Sequence, residues 1–111
     1  NGYTILKFFL HISREEQRER LEARLDDPEK NWKFRVGDLD ERARWDDYTV
    51  AYRDAIARCS TDAAPWYLVP ADRQPVRDIL IAETVVRTLE GMDLRYPEAD
   101  PEALARRGKI V

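Results

Sequence analysis

The sequence predicts an α/β fold with parallel strands and long flanking helices. Residues 3–12 form a nearly continuous apolar run rich in β-branched and aromatic side chains, which is typical of a strand covered on both faces. Trp66–Pro70 is the other strand candidate. Most of the chain between and after these two segments has apolar residues at helical spacing. Two strands joined by a helical crossover are expected to be parallel.

The composition narrows the class of protein. The 111 residues are one domain or a piece of one, and 43% apolar residues suffice for a packed core. A net charge of −3 argues against a general nucleic-acid-binding protein, so we expect no nucleic acid among its partners. One Cys and one His exclude an internal disulfide and metal sites built from Cys or His clusters. No apolar run could span a membrane and no leader is evident, so we expect a cytoplasmic protein with no membrane association.

The first strand is followed directly by a helix. Ser13 and Glu16 form a capping-box pattern, which predicts a helix from about Arg14 to Leu25. A strand covered on both faces needs a neighbour on each edge, and one further strand candidate cannot flank it twice. We therefore expect these residues to be the later part of a larger α/β domain.

A polar segment and a second helix come next. Residues 26–37 have no clear period; Pro28 ends the first helix and Gly37 is expected to close the loop. A loop of this length is usually functional or disordered. A capping signal at Asp38 predicts a continuous helix to about Arg58, with an apolar face formed by Trp45, Tyr48, Tyr52, Ala55, Ile56 and Cys59.

The last predicted elements are a turn at residues 60–65, the strand Trp66–Pro70 and a third helix. We expect Asp72 to cap this helix and Gly91 to end it. Its predicted buried face consists of Val76, Ile79, Leu80, Ala82, Val85, Val86 and Leu89. Residues after Asp93 are rich in Pro, Asp and Arg, and residues 98–111 are expected to be a flexible tail.

The first candidate site is a group of cations on the polar segment and its flanking helices. Phosphoryl transfer requires positioned cations, because negative charge spreads over the phosphate oxygens, and a row of cations also suits an extended polyanion. The alternative is a solvated helix face, since glutamates are interleaved with these cations. The group consists of Arg20, Arg24, Lys30, Lys33, Arg35 and Arg42.

The second candidate is the segment Pro70–Arg73, where a strand end leads into a helix. Asp72 and Arg73 could face a nucleotide there, or the segment could simply start a helix. Trp32 could stack on a base or anchor its loop. The phosphate-cradling G-x-x-x-x-G-K-[ST] loop is absent from this sequence, and its four glycines are scattered.

Taken together, several segments resemble the C-terminal half of the polyphosphate kinase 2 family over about residues 2–97. The spacing of rare residues, three Trp among them, makes the resemblance more specific than any single motif. The segments that carry it are Lys7–Gln17, Arg20, Glu22–Arg24, Asp27–Lys33, Asp38–Leu39, Arg42, Trp45–Tyr48, Ala51–Tyr52 and Ala64–Arg73.

The resemblance implies a P-loop kinase fold akin to thymidylate kinase and reversible phosphoryl transfer between inorganic polyphosphate and an adenine or guanine nucleotide. Residues 1–97 would be the C-terminal portion of that domain, with a lid at about 26–37. The family's Walker A half precedes the matched region, so the Mg²⁺ ligands are expected there and none in this chain. The basic residues are implied contacts for polyphosphate or nucleotide, together with Asp72 and Arg73, and a homo-oligomer is expected.

Two other interpretations remain open. The chain could be a non-catalytic helical module that docks its aromatic face on a partner. It could also belong to a nucleoside monophosphate kinase that uses ATP, although the Trp-rich lid argues against that class.

Overall fold

The computed structural model describes residues 2–111, and residue 1, at which the predicted domain 1–97 begins, lies outside them. The fold is α/β, with a small parallel sheet and several helices. Its strands are β1 (Lys7–His11) and β2 (Trp66–Pro70). Its helices are α1 (Arg14–Asp26), α2 (Val36–Ala43), α3 (Trp45–Cys59), α4 (Gln74–Gly91) and α5 (Pro101–Ala105), with short 3₁₀ turns at Asn31–Lys33 and Arg107–Lys109.

The two strands pair in parallel, as predicted. Lys7 lies opposite Trp66, and the register continues residue by residue to His11 opposite Pro70. The predicted strand of residues 3–12 is too long, because β2 offers a partner to only five residues. Tyr3 and Ile5 lie beyond that partner and are exposed. Within residues 2–111, each strand has one paired edge.

Helix α1 begins where the sequence predicted and ends one residue later. The Ser13 hydroxyl accepts a hydrogen bond from the Glu16 N–H at 3.1 Å, which is half of the predicted capping box. In a complete capping box the Glu16 carboxylate would accept from the Ser13 N–H. Here the Ser13 N–H donates to Asp72 Oδ1 instead, at 2.7 Å. Glu16 is thereby left to pair with Arg20, with Arg20 Nε 2.9 Å from Glu16 Oε1.

The prediction of an irregular segment up to Gly37 is partly wrong. The segment contains the 3₁₀ turn, and α2 already begins at Val36, so Gly37 lies inside a helix. Asp38 is the third residue of α2 rather than its cap. Its carboxylate accepts from the N–H of Arg35 at 3.0 Å, which satisfies a donor just before the helix.

The single helix predicted from Asp38 to about Arg58 is also wrong, because the helix breaks at Arg44. The Arg44 N–H bonds back three residues to Glu41 at 3.1 Å, and α3 restarts with a bond from the Tyr48 N–H to the Arg44 carbonyl. The Tyr48 hydroxyl donates to Glu41 across the break, and this contact raises the pKa of Tyr48. The segment contains neither Gly nor Pro, so the residue pattern gave no sign of a break.

Asp72 does not cap α4, contrary to prediction. Its carboxylate is engaged by Ser13, and the residue that precedes the helix is Arg73, whose side chain makes no capping bond. Pro75 fits the first turn of α4, because its missing N–H would have no helical partner there.

The predicted buried faces are largely open to solvent in this chain. The buried residues among 2–111 are Val69 and Ala71, whereas Ile79 on α4 is 65% exposed. The radius of gyration is 22.4 Å, against about 13 Å for a compact domain of this length. The described elements therefore do not close around one core.

An open apolar cleft lies between the sheet and α3, with a volume of about 870 Å³. Phe9 and Leu68 line its sheet side, and Tyr48, Tyr52 and Ile56 line its helix side. The rings of Phe9 and Tyr52 lie 4.7 Å apart between centroids. The aromatic stripe predicted on this helix thus faces the sheet, although Tyr48 and Tyr52 are 42% and 46% exposed.

The C-terminal segment is more regular than expected. Residues 98–111, predicted as a tail, include α5 and the second 3₁₀ turn, and all of them are exposed. The flexibility of this segment and the domain limits of 1–97 and 98–111 stay predictions.

Candidate functional site

The end of α1 and the start of α2 form a small polar cavity with a volume of about 360 Å³, here called the cationic cavity. Arg24 enters it from the last turn of α1, Trp32 and Lys33 from the 3₁₀ turn, and Arg35 from the residue before α2. Asp38 completes the lining. The structure therefore brings together three of the predicted cations.

Local hydrogen bonds fix the segment that carries this cavity. The Asp27 carboxylate accepts from the Glu29 N–H at 3.0 Å, so the chain turns immediately after α1. The Asn31 amide, oriented with its nitrogen toward α1, lies 2.6 Å from the Arg24 carbonyl oxygen and caps the helix end. The indole N–H of Trp32 donates to the Glu29 carbonyl at 2.9 Å.

The three cations of the cationic cavity outnumber its one carboxylate, Asp38. Among residues 2–111, the side chains of Arg24, Lys33 and Arg35 form no ion pair or hydrogen bond. The Lys33 ammonium lies 5.4 Å from the centroid of the Trp32 ring, which is 76% exposed. Lys30 differs, because its ammonium lies 3.8 Å from Asp27 Oδ2. The free cations and the exposed indole are available to an anionic ligand.

The carboxyl ends of the two strands meet at a second location, here called the strand-end turn (Ala71–Arg73). The Ala71 N–H donates to the His11 carbonyl at 2.9 Å and extends the pairing of the sheet. Arg20 Nη2 donates to the Ala71 carbonyl at 2.8 Å and to the Asp72 carbonyl at 3.2 Å. The turn is therefore held by both β1 and α1.

The remaining predicted cations lie apart from the cationic cavity. Arg42 Nη1 donates to the Arg14 carbonyl at 2.8 Å and to Gln17 Oε1 at 3.2 Å, so it ties α2 to the first turn of α1. Arg73 is exposed at the start of α4. The roles of all these side chains in ligand binding stay predictions.

One contact at these locations was indicated by the sequence and another was missed. Glu16 pairs with Arg20, as their spacing of four residues on one helix indicates. Gln17 accepts from Arg42, and this contact joins residues 25 apart in sequence, which no local pattern indicates.

The pKa of Asp72 is lowered, first by the hydrogen bonds from Ser13 and then by the charge of Arg20. A carboxyl with a lowered pKa stabilises the folded state at pH values above its ordinary pKa of 3.8, and this contribution is lost as the pH falls through the lower folded value. We expect Asp72→Asn to melt at a lower temperature than the unmodified protein near pH 6, with the difference vanishing in strong acid. Melting temperatures from pH 6 to about 2.5 test this.

Asp62→Asn is the matched control, because Asp62 is an exposed aspartate in a turn. Its melting difference from the unmodified protein is expected to stay small at every pH. An Asp72→Asn difference that grows as the pH falls would contradict the stabilising role of the carboxylate.

The described residues do not fit a metal centre. Within residues 2–111, no group of three or more His, Cys, Asp or Glu side chains could hold a metal ion. The same residues include no helix long and apolar enough to cross a membrane.

Comparisons with known proteins place the chain among related sequences. Residues 1–97 match the family model described as Polyphosphate kinase 2. The chain is 54% identical over 99 residues to the AMP/ADP-polyphosphate phosphotransferase of Meiothermus ruber, covering 89% of this chain and 37% of that protein. It is 45% identical over 111 residues to the ADP-polyphosphate phosphotransferase of Rhodopseudomonas palustris, covering 100% of this chain and 37% of that protein.

A solved structure agrees with these sequence matches. The crystal structure of polyphosphate kinase 2 from Arthrobacter aurescens superposes with a TM-score of 0.92 at 46% identity, over 98% of this chain and 39% of that one. The chain thus spans less than two fifths of the length of each of these three proteins.

Proposed function

Because this chain belongs to the polyphosphate kinase 2 family, we propose that it is part of a longer protein, the parent protein, that transfers phosphoryl groups between inorganic polyphosphate and a nucleoside mono- or diphosphate. This chain supplies its basic lid and part of its nucleotide cleft. The observation that carries the proposal is the cationic cavity, where Arg24, Lys33 and Arg35 converge beside a single carboxylate, Asp38, and none of the three cationic side chains forms an ion pair within residues 2–111.

The chemistry of polyphosphate suits that cavity. A polyphosphate chain carries negative charge on every phosphate, and the charge on the transferred group spreads over its oxygens in the transition state. The two guanidinium groups can each bind phosphate oxygens in pairs, whereas Lys33 acts as a point charge. The names of the relatives support polyphosphate as one substrate and a nucleotide as the other.

The nucleotide is assigned to the strand-end turn. In open α/β sheets, ligands bind outside the carboxyl ends of the strands, where Ala71–Arg73 lies beside His11. Arg73 is exposed there and can reach an anionic group. Either an adenine or a guanine nucleotide fits this proposal.

The parent protein is further proposed to be a P-loop kinase that uses Mg²⁺, with the metal ligands outside this chain. A metal is chemically reasonable because phosphoryl transfer between two polyanions needs charge neutralisation. A cytoplasmic location and a homo-oligomeric assembly belong to the same proposal.

One observation favours a second candidate function. The apolar cleft and its exposed aromatic side chains suit a helical module that docks on another protein without catalysis. In that case the cationic cavity has no role in substrate binding.

A donor assay separates these functions. We expect the parent protein to convert AMP or ADP to the next higher phosphate when inorganic polyphosphate is the phosphate donor, measured by nucleotide chromatography. Turnover with ATP and AMP but not with polyphosphate would place it with the nucleoside monophosphate kinases. No turnover, together with no calorimetric binding of polyphosphate, would favour the interaction module and overturn the proposal.

A further inference from the structure

Arg20 lies where α1 meets the strand-end turn. Its Nε is 2.9 Å from Glu16 Oε1 on α1, and its Nη2 donates to the carbonyls of Ala71 and Asp72 at 2.8 and 3.2 Å. Two of its three nitrogens are thus engaged inside the chain. The guanidinium crosslinks α1 to the strand-end turn, which the sequence pattern alone did not predict.

We propose that Arg20 is a positioning residue that holds the strand-end turn against α1, whereas Arg24, one helical turn further, contacts polyphosphate directly. This inference rests on the proposed function, because it assigns the two arginines to different substrates. Arg20 acts through the backbone of Ala71 and Asp72, and Arg24 lines the cationic cavity.

The surroundings of the turn explain why it needs such a crosslink. Ala71 is 2% exposed, so its carbonyl has little access to water and depends on a protein donor. Its N–H already bonds to the His11 carbonyl, and the Asp72 carboxylate bonds to the Ser13 N–H. Arg20 supplies the remaining donor. Without it, the buried carbonyl is left unpaired, and the turn loses its link to α1.

The shape of the side chain matters more than its charge. A planar guanidinium can donate from Nε to Glu16 and from Nη2 to the turn at the same time. A lysine ammonium donates from a single atom on a flexible stem and does not reproduce the fixed pair of donors of the guanidinium. Arg20→Lys therefore preserves the charge but weakens the crosslink, so its effect separates positioning of the turn from direct attraction of an anion.

Helix α1 consequently connects the two substrate locations. Arg20 and Arg24 are four residues apart, so they lie on the same face and about 6 Å apart along the helix axis. One end of this face fixes the strand-end turn and the other lines the cationic cavity. The helix thereby sets the spacing between the nucleotide and the polyphosphate.

The test compares Arg20→Lys with Arg24→Lys in the parent protein. We expect Arg20→Lys to raise the KM for the nucleotide about tenfold or more, with the KM for polyphosphate and its dependence on salt unchanged. Arg24→Lys, which keeps its charge in the cavity, is expected to change the nucleotide KM little. A nucleotide KM for Arg20→Lys equal to that of the unmodified protein would overturn the proposal.

Arg20→Ala covers the opposite possibility, that the unengaged Nη1 of Arg20 binds polyphosphate. Direct binding predicts that Arg20→Ala weakens the salt dependence of the polyphosphate KM as much as Arg24→Ala does. That result would overturn the positioning role, whereas an unchanged salt dependence supports it.

Hydrogen exchange gives a readout that does not depend on activity. We expect the Ala71 amide to exchange faster in Arg20→Lys than in the unmodified parent protein, while the amide of Phe9 in β1 keeps its protection. Unchanged protection at Ala71 would refute the positioning role even if the protein proves inactive with polyphosphate. Failure of the donor assay with altered exchange at Ala71 would instead refute only the proposed function.

Discussion

Replacing Arg24, Lys33 and Arg35 together by alanine is expected to raise the KM for polyphosphate at least about a hundredfold, because a charge-assisted hydrogen bond contributes about 1.5–3 kcal/mol and three are lost. The combined loss is smaller than the sum, since neighbouring cations bind one chain. By analogy with single-stranded nucleic acids, the slope of log KM against log salt should fall by about two units. Steady-state kinetics at several salt concentrations measure both quantities.

The C-terminal segment provides a matched control. Arg106, Arg107 and Lys109 are three exposed cations that lie beyond residues 1–97, the part that matches the family. Their replacement by alanine removes the same net charge from the protein and should leave both the KM and the salt slope nearly unchanged. Equal effects from the two triple variants would show that general charge, rather than the cationic cavity, attracts polyphosphate.

Leu68→Asp is expected to destabilise the parent protein by about 3 kcal/mol or more, because it places a carboxylate in an apolar environment. Leu68 is 62% exposed here and lines the apolar cleft. Further polypeptide of the parent protein is proposed to cover that cleft, so the effect should be much larger than this exposure implies. Denaturant unfolding followed by tryptophan fluorescence measures it.

Two further variants bracket that result. Val69→Asp alters the neighbouring residue, which is 3% exposed, and should destabilise the protein regardless of what covers the cleft. Ile110→Asp alters an 84% exposed residue beyond the family match and should have little effect. If Leu68→Asp resembles Ile110→Asp, the cleft faces water in the parent protein and the expectation of a larger α/β domain is wrong.

The sequence was a good guide wherever the controlling interactions are local. The periodicity and the Ser13 cap placed α1 within one residue, and the short apolar run placed β2 correctly. The crossover rule gave the parallel pairing. The candidate cations were grouped because they lie close together in the sequence. Three of them line one cavity in the structure, because the chain turns back toward α1 after that helix ends.

Contacts between residues distant in sequence explain what local patterns missed. Asp72 looked like a helix cap, yet Ser13, 59 residues earlier, takes its carboxylate. Arg20 and Arg42 were grouped with the candidate ligand-binding cations, and no local pattern indicated that they donate to backbone carbonyls on other segments. Helical faces such as that of Tyr52 were correctly recognised as apolar, but amphipathicity cannot say whether the covering layer lies within the same 111 residues.

The hydrogen bonds from Arg42 join α2 to the first turn of α1, so the two helices share a joint at one end of α1. The joint lies near Gln17, and the nine residues of α1 from there to Asp26 extend for about 13 Å. A rotation of α1 by about 10° at that joint would displace the end of the helix at Asp26 by about 2 Å. A change of angle at this joint would therefore displace Trp32 and Lys33 further than it displaces Arg42.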